Sequence, residues 1–203
     1  MSEASASPAV SVWEFSSIVD GIHAADAIAK GSPVSHLLTG TTHPGRYIVL
    51  VAGDVASVGV ARDIVVDLGI ATMDDRFLPD IAPDVVSAVT TDATAAHAKG
   101  DAIGVVETGS VSSIIDAADA AVKAASVVLS GLRMADGIGG KAYLVVDGTV
   151  GEVAAAVEAA TDRAAGQLLA SIVIPQLTEE LRGDLAASAS FIERVRSRGG
   201  DDS

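Results

Sequence analysis

The heptad AADAIAK at residues 24–30 returns, almost unchanged, as AADAAVK at residues 117–123. An internal repeat constrains a fold strongly, because both copies must satisfy one structural unit. The match runs well beyond the heptad. At an offset of 93, Glu14 falls on Glu107, Ser17 on Ser110, Ile22 on Ile115, Asp26 on Asp119, Lys30 on Lys123 and Val34 on Val127. The offset then becomes 95, pairing Gly45 with Gly140, Arg46 with Lys141, Gly53 with Gly148, Val55 with Val150 and Val58 with Val153. The second copy has therefore gained two residues in a turn-like region. Further on, FLPDI at 77–81 meets VIPQL at 173–177 at an offset of 96. The chain is two copies of one unit of roughly ninety residues, expected over 9–99 and 100–185. Outside them lie residues 1–8, expected to be disordered, and a C-terminal helix and disordered tail at 186–203.

Each unit reads strand–helix–strand–strand–helix–strand. In the second copy, Ala102–Glu107 is a short apolar strand, and Ser110–Ala125 carries Val111, Ile114, Ile115, Ala118 and Val122 at helical spacing. Val127–Leu132 and Ala142–Val146 are strand-like runs separated by the glycine-rich turn ADGIGGK. Thr149 caps a helix running to about Ala165, and Leu168–Ile174 is the last strand, stopped by Pro175. The first copy repeats the order, with strands near Val10–Glu14, Val34–Leu38, Tyr47–Ala52 and Thr72–Leu78, and Asp54 as the matching cap. PDVVSAVTTDATAAHAKG reads as a helix joining the copies, ended at Gly100. The fold class is α+β (an α/β sandwich): two tandem ferredoxin-like βαββαβ units, each an antiparallel sheet with helices on one face.

Composition narrows the function. Hydrophobic residues make up 49% of the chain and aromatics only 3%, so the core is built from Ala, Val, Ile and Leu. Mean hydropathy is +0.45, yet no apolar run approaches the roughly 18 residues of a membrane span; the longest is Tyr47–Ala52. Surplus apolar surface without a membrane segment points to burial between subunits. A net charge of −14 argues against nucleic acid. The absence of cysteine removes disulfides, thiolate metal sites and cysteine nucleophiles. MSEASASPA shows no secretion signal, so a cytoplasmic protein is expected.

Searches for catalytic chemistry return little. DGIGGKAY fails the phosphate-loop pattern, with Ala135 and Ala142 at required Gly and Ser/Thr positions. The four histidines, His23, His36, His43 and His97, fall in different elements without a metal-ligand pair, so no metal and no cofactor is expected. Glu14 and Glu107 are candidate buried acids near strand ends. A hydrogen bond to backbone N–H groups is favoured over acid–base work for both, so no residue is assigned a catalytic role.

The repeated motifs carry a resemblance to a known family. The second half, with GVVET, AADAAVKAA, the glycine-rich turn, VDGTVGEV and VIP in order, resembles the bacterial microcompartment (BMC) shell domain along its length. The first half matches more loosely through SVWEF, AADAIAK and PGRYIVLVAGDVASV. The resemblance implies a tandem-domain shell protein of unpermuted strand order. It implies a homotrimer whose six domains form a pseudohexagonal tile, packing with other shell proteins (hexamers and pentamers) around encapsulated enzymes. No nucleic-acid or membrane partner is expected. A free-standing trimeric sensor of ferredoxin-like fold is the alternative.

Site residues follow from the same resemblance. Lys30 and Lys123 correspond to the family's tile-edge lysine, whose three donors suit backbone carbonyls across a seam. A helix C-terminal lysine favoured by the macrodipole is the plainer reading of the same positions. Asp80 and Gln176 stand where the family usually has an edge arginine, so lateral packing is expected either to be weaker or to depend on a mixed neighbour that supplies the missing donor. The turns before the third strand of each unit would line a central pore for small metabolites, through Thr42, His43, Pro44 and Gly45 in the first copy and Asp136, Gly137, Ile138, Gly139 and Gly140 in the second. Three His43 side chains near an axis would make its charge pH-sensitive. The iron–sulfur cluster held by cysteines in some tandem members has no ligands here.

Overall fold

A computed structural model describes residues 8–91, 100–135 and 137–178. The expected tail helix and terminal disorder, the end of the joining helix (92–99) and Asp136 lie outside the described residues. The elements are β1 (Pro8–Phe15), α1 (Ile18–Gly31), β2 (His36–Thr42), β3 (Arg46–Asp54), α2 (Val55–Leu68), β4 (Asp74–Leu78) and α3 (Pro83–Thr91). The second unit follows with β5 (Ala102–Thr108), α4 (Val111–Ala124), β6 (Val128–Met134), β7 (Ala142–Gly148), α5 (Val150–Arg163) and β8 (Leu168–Pro175). Two four-stranded antiparallel sheets have identical order, β2-β3-β1-β4 and β6-β7-β5-β8. The duplication inferred from spacing is a duplication of topology.

Local chemistry sets the boundaries. Ser17 and Ser110 cap α1 and α4 by accepting the N–H groups of Asp20 and Ser113, both at 3.2 Å. Asp54 caps α2 by accepting the Ser57 N–H at 2.9 Å, and Thr149 forms a capping box with Glu152 on α5. Those hydrogen bonds from Ser57 hold the Asp54 carboxyl below its ordinary range. Two expectations need correcting. Pro8 is strand, paired with Asp54, because β1 uses its full length against β3. The second strand begins at His36 rather than Val34, and runs to Thr42, because pairing with β3 continues to the turn.

The strand period of two divides each sheet's faces. On the first sheet, Ala9, Trp13, Phe15, Val49 and Val51 pack with Ala24 and Ile28 of α1 and Val58, Ala61 and Val65 of α2. The opposite face, Val10, Val12, Ile48, Leu50 and Leu78, belongs to a second core that includes α3 and Ile114, Ile115 and Ala118 of α4. The first unit's sheet is therefore covered on one side by its own helices and on the other by the second unit's. Among the described residues nothing covers the second unit's sheet in this way: Ile172 on the corresponding face of β8 is 55% exposed.

Candidate functional site

The seam between the units is where the polar side chains converge. Glu14, on the β1 face turned towards α4, is 1% exposed. Its Oε1 accepts the Ser112 N–H at 3.0 Å and the Ser112 hydroxyl at 3.3 Å, while Oε2 accepts from Arg46 at 3.3 Å. Arg46 also donates to the Gly109 carbonyl at 3.1 Å. Beside it, Asp74 Oδ2 accepts hydroxyls from Ser110 (2.5 Å), Ser112 (2.5 Å) and Ser113 (3.0 Å). Arg76 pairs with Asp74 at 2.7 Å and Asp116 at 3.4 Å, and Arg163 reaches Asp116 at 2.7 Å, which raises the Arg163 pKa. The first turn of α4 is thus held by two carboxylates of the first unit, as a helix N-terminus favours.

Burial raises the Glu14 pKa, and the Ser112 N–H and Arg46 only partly oppose it. Burial also pushes Asp74 up, but the hydroxyls of Ser110 and Ser112, with Arg76 and Ser113, outweigh it and hold the carboxyl below its ordinary range. Both Glu14 oxygens are engaged, which is the structural role expected of it. Glu107 differs: it pairs with Lys141 at 2.9 Å and keeps 32% of its side chain exposed.

Two of the tile-edge candidates, Lys123 and Asp80, meet across the same seam. Lys123 Nζ donates to the Asp80 carbonyl and to Asp119 at 2.7 Å, while Asp119 Oδ1 accepts the Ala82 N–H at 2.7 Å. Lys123 and Asp80 are thus brought together. Lys30 bonds Asp26 at 2.6 Å, and the Gln176 N–H donates to the Asp101 carbonyl at 2.7 Å. Both lysines also sit in the last turn of their helices, as the macrodipole reading expects.

The two turns of the supposed pore meet side by side. His43, Pro44, Gly45, Gly137 and Gly139 are exposed and Ile138 is half-buried, while Thr42 and Gly140 are buried. Gly140 (φ +80°) lies against His43 and Pro44: a Cβ there would stand 2.7 Å from the His43 carbonyl oxygen. The two extra residues of the second copy fall here, since by the two offsets 136–140 stand against 43–45, five residues against three. Among the described residues no group of three or more His, Asp or Glu is placed to hold a metal, and no helix is long and apolar enough to cross a membrane.

Sequence reasoning missed Asp74, Arg76, Ser113, Asp116 and Arg163. The signal was present where the repeats disagree: SVSSIID opens α4 where SIVDGIH opens α1.

Fold and seam together define a tandem-duplicated α+β protein whose units associate sheet face to helix. The BMC domain family model matches residues 9–79 and 102–177, and the chain belongs to the BMC-domain family. It is 39% identical over 178 residues to the bacterial microcompartment shell protein PduT of Citrobacter freundii, covering 86% of this chain and 96% of that one. A microcompartment protein from Desulfitobacterium hafniense superposes with a TM-score of 0.78 at 36% identity, covering 88% of this chain and 99% of its own. A fused permuted hexameric shell protein of the RMM microcompartment shares the fold, with a TM-score of 0.57 at 22% identity over 78% of this chain and 84% of its own.

Proposed function

We propose that the chain is a non-catalytic shell protein of a bacterial microcompartment in the cytoplasm, three copies of which close into a pseudohexagonal tile. One observation carries the ring: the internal seam has an unused duplicate. On α4, Val111, Ser112 and Ile115 are buried against the first unit, whereas their repeat partners on α1, Ile18, Val19 and Ile22, are 39%, 76% and 52% exposed. On β8, Leu169 and Ile172 are likewise uncovered. Among the described residues each chain thus presents an uncovered helix face and an uncovered sheet face, the two halves of a heterologous contact, and such contacts close into rings. Covering each of those apolar side chains contributes on the order of 1.5–3 kcal/mol. Closure at three copies follows from the hexagonal tile the family resemblance implies.

In that tile the turns at 42–45 and 136–140 surround the axis, giving small metabolites a passage. Lys30, Lys123, Asp80 and Gln176 lie on the edge shared with neighbouring tiles. Other shell proteins and encapsulated enzymes are the partners. The free-standing sensor is less favoured, because PduT, which shares about two-fifths of the sequence, is a shell protein.

Light scattering on the sized protein tests the ring, and negative-stain electron microscopy tests the tile. A trimer mass with sheets, tubes or hexagonal arrays is expected, the arrays being lost in Lys30→Ala/Lys123→Ala. A monomer at all concentrations would overturn the reading.

A further inference from the structure

The two seams of the proposed ring are not chemically alike, and we infer that this difference is an order code: the sheet face of the second unit accepts α1 of a second copy of this chain and rejects α4. The inference rests on the ring reading above. Strand register fixes the correspondence. Glu14 stands opposite Asp74 and Val12 opposite Arg76, whereas Glu107 stands opposite Ala170 and Val105 opposite Ile172. Ala170 and Ile172 therefore occupy the places of Asp74 and Arg76.

The helices differ in step. Where α4 offers Ser112, Ser113 and Asp116 to those side chains, α1 offers Val19, Asp20 and His23. The internal seam is thus a carboxylate and a guanidinium meeting hydroxyls and Asp116. The seam between copies is Ala170 and Ile172 meeting Val19 and Ile22. What the two seams share is the carboxylate–cation pair: Glu107 with Lys141 repeats Glu14 with Arg46. On that template Glu107 accepts the Val19 N–H of the second copy, and Lys141 donates to its Ser16 carbonyl, as Arg46 does to Gly109. Asp20 is the acidic side chain that α1 brings to the place of Ser113, and it sits in the first turn of its helix, where the macrodipole favours a carboxylate.

Mispairing is penalised from both sides. With α1 against the first unit's sheet, Asp74 loses the hydroxyls of Ser112 and Ser113 and meets the Asp20 carboxylate instead. With α4 against the second unit's sheet, Ser112, Ser113 and Asp116 face Ala170 and Ile172, and Asp116 loses Arg76. Buried polar groups stranded in this way oppose association. The units can then only alternate around the ring, and repulsion as well as fit selects the partner.

Two experiments on the full chain test this. Because the protein has no cysteine, Val19→Cys/Ala170→Cys places two thiols where Ser112 Oγ and Asp74 Oδ2 stand 2.5 Å apart in the internal seam. A short bis-maleimide should give covalent dimers and trimers on a denaturing gel, and neither single variant should give a trimer. Separately, Ala170→Asp/Ile172→Arg should raise the dissociation concentration of the trimer at least tenfold while circular dichroism stays unchanged. Adding Val19→Ser, Asp20→Ser and His23→Asp should recover the trimer by supplying the matching helix face. A wild type that sizes as a monomer would sink the ring reading itself. A trimeric wild type whose thiol pair is not bridged, or whose half-exchanged variant stays trimeric, would overturn the order code alone.

Discussion

Glu14 Oε1 accepts the backbone N–H of Ser112 at 3.0 Å, joining residues 98 positions apart. A buried carboxylate of one unit thereby caps the first turn of the other unit's helix, and that contact links the folding of the two halves to pH.

Burial raises Glu14, so its contribution to stability is fully present below the ordinary value of 4.5 and is lost as pH rises through the folded pKa. Asp74 is depressed, so its contribution is present above 3.8 and is lost as pH falls through its folded pKa. Stability measured by urea unfolding at fixed protein concentration should therefore rise on acidification from neutrality towards 4.5, then fall below 3.8. Glu14→Gln should flatten the upper limb and leave the lower one. An unchanged upper limb in that variant would mean that Glu14 does not titrate in this window.

Asp74→Ala should destabilise the chain by about 2–3 kcal/mol, since Arg76 and the hydroxyls of Ser110 and Ser113 lose their shared acceptor in a mostly buried place. Asp75→Ala, on the same strand but the opposite face, removes a half-exposed pair with Arg62 and should cost less than about 1 kcal/mol. Equal midpoint shifts in urea would contradict the assignment of Asp74 to the seam.

The edge lysines should separate in the same assay. Lys123 spans the seam to the Asp80 carbonyl, so Lys123→Ala should lower stability by roughly 0.5–1 kcal/mol, whereas Lys30, bonded only within its helix to a half-exposed Asp26, should cost less than about 0.5 kcal/mol. Both substitutions should nonetheless impair arrays seen by electron microscopy, because array formation depends on the neighbouring tile.

Much of this was legible in the sequence because a repeat reports itself twice. The order of elements, the caps Asp54 and Thr149 and the pairing of Glu14 with Glu107 follow from spacing and local propensity. The seam was not legible, since its polar residues come from β1, β3, β4, α4 and α5, and no local pattern joins Asp74 to Ser113. Sequence similarity between the repeats even hid it: the seam is made where the copies differ, with Arg76 standing where the second unit has Ile172. The strand start at His36 was misplaced because Val34 is apolar and packs against the first core without joining the sheet.

The paired turns allow a test in which two neighbouring glycines should respond differently. Gly139 and Gly140 both have positive φ, +68° and +80°, so an alanine at either carries backbone strain of order 1 kcal/mol. A methyl at Gly139 meets nothing within 4 Å, whereas at Gly140 it would stand 2.7 Å from the His43 carbonyl oxygen and 3.0 Å from Pro44 Cδ. The carbonyl is backbone and cannot swing aside as a side chain would, so the turn at 42–45 must move. Gly140→Ala should therefore cost about 1–3 kcal/mol more than Gly139→Ala in thermal or urea unfolding. Amide exchange at His43 and Gly45 should quicken only in the Gly140 variant. Equal costs would show that the two turns are not packed against each other in solution, and the proposed pore lining would then need redrawing around two independent loops.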